Sequence, residues 1–322
     1  MTTMQEGLEK AAAHFSKKKV LVTGGLGFIA GHLVDRLTEW GAEVTLLDAR
    51  PEYDGDLEYI HGDVRDYDLM SGAVKGKDVV FHFASILGVE KIQLIPLDVM
   101  DVNLGGTVNA LKACVEHGVG RIILTSSSEI YGEPRVIPTP EDTLPSPVSI
   151  YGVSKLAAEA YCQAYSQQHG LQYTAVRFFN VYGEGQAEEF VISKFLARVA
   201  NDEPPIIFGT GEQVRTYTYV SDAIDCTLLA AASDKGINEV FNIGGAETIS
   251  LIELARLIGE ISGKPMEPEF REFGDAGVRE KGREVFARIP SVAKARAVLG
   301  YRSRVGLRQG LTRTYHWYLK NS

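Results

Sequence analysis

Thr23-Gly24-Gly25-Leu26-Gly27-Phe28-Ile29-Ala30 follows the apolar run Val20-Leu21-Val22 and precedes Leu33, Val34, Leu37 and Trp40 at helical spacing. A glycine pattern is weak alone, but between a strand and a helix it becomes informative. Gly25, Gly27 and Ala30 fit G-x-G-x-x-G/A, and Gly24, Gly27 and Ala30 fit the G-x-x-G-x-x-G/A variant. Small residues there let the backbone approach a pyrophosphate, while the helix N-terminus at Phe28 and Ile29 supplies amide donors and a positive dipole. Asp48 ends the next apolar run, Val44-Thr45-Leu46-Leu47. A carboxylate at that point accepts both ribose hydroxyls and repels a 2′-phosphate, which predicts NAD over NADP. Arg50, two residues on, is the cation that pulls toward NADP. The alternative to a cofactor site is a tight turn with no ligand.

Outward from this turn, apolar runs and amphipathic helices alternate. Asp78-Val79-Val80-Phe81-His82-Phe83 and Arg121-Ile122-Ile123-Leu124 repeat the strand pattern, with a helical segment over about 98–117 between them. Helix 151–169 and the strand Tyr173-Thr174-Ala175-Val176 follow. Continuous Val/Ile/Leu runs separated by helices predict a parallel sheet covered on both faces, the doubly wound α/β class of Rossmann type. After about residue 180 the pattern loosens around Pro204-Pro205, Gly209, Gly211, Gly244-Gly245 and the charged stretch 267–284. Helical patterns at 222–232, 250–262 and 306–320 predict a smaller α/β lobe, partly interleaved with the first. The expected organisation is an extension over 1–18, a dinucleotide-binding domain over 19–180, and a mainly substrate-binding lobe over 181–322 with segments returning to the first domain.

The chain has 322 residues, 45% hydrophobic and 23% charged, enough to bury a core without staples. Its 42 acidic against 33 basic side chains give a net charge of −9. That balance argues against nucleic-acid or anionic-membrane binding, which need a basic face, but not against an anionic small ligand. Cys114, Cys162 and Cys226 are odd in number and far apart, which predicts free buried thiols, no disulfide framework and no metal. Residues 1–18 hold no secretory signal pattern, and no stretch approaches the roughly 20 apolar residues of a membrane span. A cytoplasmic protein is expected.

Two further stretches carry chemistry. In Tyr151-Gly152-Val153-Ser154-Lys155, positions i and i+4 share a helix face, so phenol and ammonium can point into one cleft. An adjacent cation is expected to stabilise the phenolate and lower the tyrosine pKa, which suits a general acid/base. Alone, Tyr-x-x-x-Lys also occurs on solvated helix faces. Thr125-Ser126-Ser127-Ser128-Glu129-Ile130-Tyr131-Gly132 follows the strand 121–124 directly, and strand ends facing the crevice are where ligands sit in such sheets. Ser hydroxyls there can hydrogen-bond a substrate oxygen under oxidation, and the bland alternative is a polar turn.

Together with Gly62-Asp63-Val64-Arg65-Asp66, Phe81-His82-Phe83-Ala84-Ser85, Asn103-Leu104-Gly105-Gly106-Thr107, Arg177-Phe178-Phe179-Asn180-Val181-Tyr182-Gly183, Arg215-Thr216-Tyr217-Thr218-Tyr219-Val220-Ser221-Asp222 and Phe241-Asn242-Ile243-Gly244-Gly245, these stretches resemble the extended short-chain dehydrogenase/reductase family in its nucleotide-sugar epimerase/dehydratase branch. The resemblance covers about residues 19–318. It implies a tightly held NAD, a nucleoside-diphosphate sugar as substrate, and a homodimer. Asp63 and Val64 would flank the adenine; Phe83, Ala84, Asn103, Ser126 and Phe178 would line the cofactor pocket. Lys155 would bond the nicotinamide ribose, Tyr151 would take the proton of the sugar C4 hydroxyl, and Ser127 would hold that oxygen. Ser128 would face the sugar, and Asn180 and Arg215 the diphosphate. Leu104, Val108 and Leu111 with Ala157, Ala160 and Tyr161 would form the dimer's four-helix bundle. Ala30 departs from the usual third glycine, and Glu184-Gly185 stands where Pro is common.

Members of the branch diverge after a transient 4-keto sugar. An epimerase needs little beyond Ser127, Tyr151 and Lys155. A 4,6-dehydratase resembles this chain at Glu129, a base for the C5 proton, but has Asp where Ser128 stands. A glucuronate decarboxylase has a Ser-Glu pair there and an Arg-x-Pro that can meet the sugar carboxylate, which Arg288-Ile289-Pro290 resembles. Arg288 is otherwise a salt-bridged lobe residue, and Glu129 a carboxylate that only orients hydroxyls. The expected product is an isomer from a UDP-sugar 4-epimerase, with the two lyases as alternatives. A regulator that had lost catalysis would lack part of the Ser127/Tyr151/Lys155 group, which this chain keeps.

Overall fold

Each apolar run becomes a parallel strand. The computed structural model describes residues 3–272 and 285–321. Strands β1 (Lys19–Thr23), β2 (Glu43–Asp48), β3 (Glu58–His61), β4 (Val79–His82), β5 (Arg121–Ser127) and β6 (Tyr173–Phe178) pair with a seventh, Glu239–Ile243, in the order seventh–β6–β5–β4–β1–β2–β3. All neighbours are parallel. Four residues of β1 and all seven of β5 are buried, as continuous apolar runs between two helical layers demand. The order reverses between β1 and β4, so the crevice opens at their carboxyl ends.

One face of the sheet packs Leu33 and Leu37 of the helix Phe28–Glu39 with Ile224 and Leu228 of the helix Val220–Ala232. The other packs Leu111, Cys114 and Ala158 against Val80 and Ile122. Leu33 and Leu37 are fully buried, and each contributes about 2 kcal/mol relative to exposure. The 1–18 extension is packed: a helix at Met4–Phe15, started by a Thr3/Glu6 capping box, buries Leu8, Ala11 and Phe15. The segment expected as one helix over 98–117 is interrupted. It runs as Pro96–Met100, a π-helical turn at Asp101–Gly105, and Gly106–Glu116.

A third core cluster joins Phe195, Leu196, Leu254, Ile258 and Leu311 of the helices Val191–Ala200, Leu251–Ile261 and Leu307–Asn321. Beside it a three-stranded sheet has Val214–Thr216 in the middle, with Thr248–Ser250 and Ala287–Arg288 at its edges. Most of the charged stretch 267–284 lies outside the described residues, although Glu269–Arg271 pairs with Ile206–Phe208. Among the described residues no helix is long and apolar enough to cross a membrane, and no His/Cys/Asp/Glu group could hold a metal. The three cysteines are buried and free.

Candidate active site

The glycine turn caps β1 at the reversal point. Gly24 has φ +65°, and a Cβ on it would lie 2.7 Å from the Ala84 amide nitrogen beyond β4. Only glycine satisfies both conditions. Gly27 N donates to Gly24 O at 2.9 Å, and Gly27 begins the helix Phe28–Glu39 with no side-chain cap. The first-turn amides around Phe28 and Ile29 thus face the crevice end without a side-chain acceptor. The Asp48 carboxylate is held beside this turn, accepting from Leu26 N at 3.0 Å and Arg50 N at 3.1 Å. The Arg50 guanidinium folds back on it, with Nε 3.3 Å from Oδ1. The cation that pulled toward NADP is therefore paired with the carboxylate that argues for NAD.

The other cofactor candidates divide. Phe83 and Phe178 lie with ring centroids 6.2 Å apart across the strand ends, next to Ala84. Ser126 Oγ is buried with no hydrogen-bond partner. Asp63 instead meets Arg65, Nη2 to Oδ2 at 2.7 Å, which holds its carboxyl below the usual range. Val64 is buried against Gly106. Asn103, on the π-helical turn, uses its amide on the chain: Oδ1 accepts from Ile86 N at 2.7 Å and Nδ2 donates to Ile86 O at 3.0 Å and to Ser154 Oγ at 3.2 Å. Ser154 Oγ in turn donates to Tyr151 O at 2.8 Å. Asn103 thus ties the segment after β4 to the first turn of the helix Ile150–His169.

That helix is capped by Ser149, whose Oγ accepts from Gly152 N at 2.9 Å. It brings Tyr151 and Lys155 under the end of β5, with the Lys155 ammonium 5.7 Å from the Tyr151 ring centroid. The expected lowering of the Tyr151 pKa does not hold for the protein alone. Burial drives the phenol above its usual value and the Glu129 charge adds to that, while the Ser127 and Ser85 hydroxyls pull the other way. Burial also pushes Lys155 down to about 7. Loss of water on burial disfavours both charged forms and is the largest cause in each case. His82, fully buried with Nδ1 2.8 Å from Thr23 Oγ1, is pushed down to about 3 by burial and by Lys155, so it is neutral.

Glu129 and Arg288 meet across the cleft. Arg288 Nη1 lies 3.4 Å from Glu129 Oε1, both side chains are mostly buried, and Arg288 Nε is buried without a partner. Ser149 Oγ donates to Glu129 Oε2 at 2.6 Å, and Glu129 N donates to Ser127 Oγ at 3.2 Å. The chain around Arg288 is anchored: Thr139 N donates to Ile289 O and Ser291 N to Thr139 O, each at 2.8 Å, and Phe286 N donates to Glu133 Oε2 at 2.7 Å. Arg215 joins this anchoring, donating to Val214 O and Phe286 O at 2.9 Å and to Val285 O at 2.6 Å. Its side chain thus lies on backbone carbonyls. Asn180 has φ +41°, uncommon for a non-glycine residue, and its Nδ2 donates to Thr216 O at 2.8 Å. Ser128 is buried.

The structure therefore gathers Ser127, Glu129, Tyr151, Lys155 and Arg288. Sequence reading did not single out Ser85, Ser149 or Glu133. Ser149 carried the signal of a helix N-cap, but its bond to Glu129 depends on chain folding far from either.

A reversed parallel sheet with a glycine turn at its switch point, and a Ser/Tyr/Lys group on the same rim, defines a dinucleotide-dependent enzyme. The model of the NAD dependent epimerase/dehydratase family matches residues 20–244. The putative UDP-glucose 4-epimerase of Methanocaldococcus jannaschii is 33% identical, covering 94% of this chain and 99% of that protein. The UDP-N-acetyl-alpha-D-glucosaminuronate decarboxylase of Bacillus cytotoxicus is 32% identical, covering 94% and 98%. Among solved structures, UDP-glucose 4-epimerase from Thermotoga maritima with UDP-glucose superposes with a TM-score of 0.87 at 34% identity, covering 94% of this chain and 99% of that one. The chain belongs to the NAD-dependent epimerase/dehydratase family.

Proposed function

We propose that this chain holds NAD in the crevice and oxidises C4 of a nucleoside-diphosphate hexuronate, which then loses carbon dioxide. The close approach at Gly24, the helix start without a side-chain cap and Asp48 fit the dinucleotide. Phe83, Ala84, Ser126 and Phe178 would line its pocket, with Tyr151 and Lys155 at the nicotinamide end. NAD, when bound, supplies the hydride acceptor for C4. Tyr151 takes the proton of the C4 hydroxyl, Ser127 holds that oxygen, and Lys155 supports the phenolate by its charge.

The Glu129–Arg288 ion pair beside Tyr151 carries the reading. Turning a ketone over needs neither group. A 4-keto hexuronate is a β-keto acid, and its C5–C6 bond breaks with the electron pair passing to the C4 oxygen, where Ser127 and the phenol stand. Arg288, with a buried Nε that meets no partner, would leave Glu129 to orient the substrate carboxylate; Glu129, then protonated from solvent, would pass that proton to C5, and the hydride and the phenol's proton would return to C4. Ser128, Asn180 and Arg215 remain candidate contacts to sugar and diphosphate, and Arg215 would exchange carbonyls for phosphate oxygens. The second reading is the expected 4-epimerisation of a hexose or hexuronate. It is favoured by the Ser149 hydroxyl that fixes Glu129 Oε2 at 2.6 Å, which suits a merely orienting carboxylate. Mass spectrometry after incubation with UDP-, dTDP-, GDP- and CDP-sugars, UDP-glucuronate included, separates them. Carbon dioxide from the glucuronate supports the first, an isomer alone the second, and loss of water a dehydratase.

Asp48→Ser should weaken NAD binding about 10- to 100-fold, the worth of charged hydrogen bonds, with less loss for NADP. Equal affinity of the unaltered protein for both dinucleotides by calorimetry would remove the role of Asp48. For assembly, the proposed homodimer uses the exposed apolar Leu94, Leu97, Val153 and Tyr161 and a groove of about 600 Å³ lined by Leu104 and Val108. Leu111 is corrected out of this surface because it is fully buried under its own helix. Light scattering at micromolar concentration should give twice the chain mass, and Tyr161→Glu should halve it.

A further inference from the structure

We propose that Ser85 is a third hydroxyl of the acid/base group, donating its O–H to the Tyr151 phenolate while Ser127 holds the sugar oxygen. Its backbone is pinned on both sides. Ala84 N donates to Thr23 Oγ1 at 3.3 Å, and the Ile86 amide and carbonyl both bond the Asn103 side chain. Ser85 Oγ is nevertheless buried with no hydrogen-bond partner. Leaving a buried hydroxyl unpaired is costly, so a pinned loop that keeps one implies a partner arising in the working enzyme. Asn103, which holds Ile86 by both its amide and its carbonyl, also donates to Ser154 Oγ, which donates to Tyr151 O, so the loop after β4 and the turn that carries the phenol are tied side by side, with Ser85 reaching the phenol from β4 and Ser127 from β5. A neutral phenol offers its own proton and needs only one acceptor; a phenolate gains from two donors.

The other groups facing the phenol are Glu129 from the turn after β5, which opposes its ionisation, and Lys155 from the same helix, which lies next to neutral His82. Arg288 offsets Glu129 from the far side of the cleft. Lys155 is itself near its own titration and is not a full charge at neutral pH in the protein alone. A fixed hydroxyl dipole keeps its effect at every pH.

The inference rests on Tyr151 being the proton acceptor, and its test separates the two. The pH profile of kcat/KM is measured for the NAD-loaded enzyme with UDP-glucuronate, for the parent, Ser85→Ala, Ser85→Thr and Tyr151→Phe. Ser85→Ala should move the acid limb up by about 0.5 to 1 unit, a three- to tenfold loss below the limb, with the plateau at high pH and KM little changed. Ser85→Thr should restore the limb. An unmoved limb in Ser85→Ala, or an equal loss at all pH values with raised KM, overturns the role of Ser85. An acid limb that persists unchanged in an active Tyr151→Phe variant overturns the acid/base assignment instead.

Discussion

Tyr151→Phe is expected to lower kcat by between about 10² and 10⁴-fold while the far-ultraviolet dichroism and NAD content stay unchanged. The ring keeps its place at the start of the helix Ile150–His169, and only the atom that accepts the C4 hydroxyl proton is removed. Lys155→Met should be as severe, because burial already holds the phenol above its usual pKa and the variant removes the ammonium beside its ring. A near-normal rate in either variant, measured with a verified substrate, would remove the pair from the chemistry. Lys155 gives a second readout with a definite sign. Its pKa is about 7 in the folded, ligand-free protein and about 10.4 when unfolded, so between those values the unfolded chain binds more protons. Stability of the cofactor-stripped protein should therefore rise as pH goes from 7 toward 10. Lys155→Met should abolish that rise and melt higher than the parent at pH 7. A melting temperature that falls on alkalinisation in this range for the parent but not the variant would contradict the burial of the ammonium.

The second large effect concerns the pair across the cleft. With UDP-glucuronate, Glu129→Gln should cost on the order of 10² to 10⁴ in turnover if the carboxylate moves a proton at C5. Arg288→Ala should raise KM for the acid about 10- to 100-fold, with a much smaller change for a neutral sugar nucleotide. Solvent deuterium should appear at C5 of the product. If both variants keep most of their activity, C5 carries no deuterium and an isomer is the sole product, the 4-epimerase reading takes over.

The sheet was legible in the sequence because β1, β2, β4, β5 and β6 are buried on both faces and appear as unbroken apolar runs. β3 was not, since its two inner residues are only half-buried and its two ends are exposed at the sheet edge. The glycine turn and the Tyr151/Lys155 spacing were legible because they are local. The Glu129–Arg288 contact joins residues 159 positions apart through a loop pinned by Thr139 and Glu133, and no local pattern encodes that. The direction of the Tyr151 shift is hidden for the same reason. A helix spacing reports which groups are neighbours, but not how much water they lose. Ser85 and Asn103 stood in quoted motifs, yet whether a hydroxyl or amide faces the site or its own backbone is set by three-dimensional closure.

The seventh strand, Glu239–Ile243, completes the sheet only after the chain has passed through the elements between Val181 and Ala232. During synthesis β6 therefore waits as a bare edge until some sixty further residues have left the ribosome. Edges of this kind recruit other strands, so a fragment ending near residue 180 would be prone to aggregate rather than to bind dinucleotide. The same threading suits engineering poorly at that boundary: a fusion or split placed there severs a sheet, not a linker.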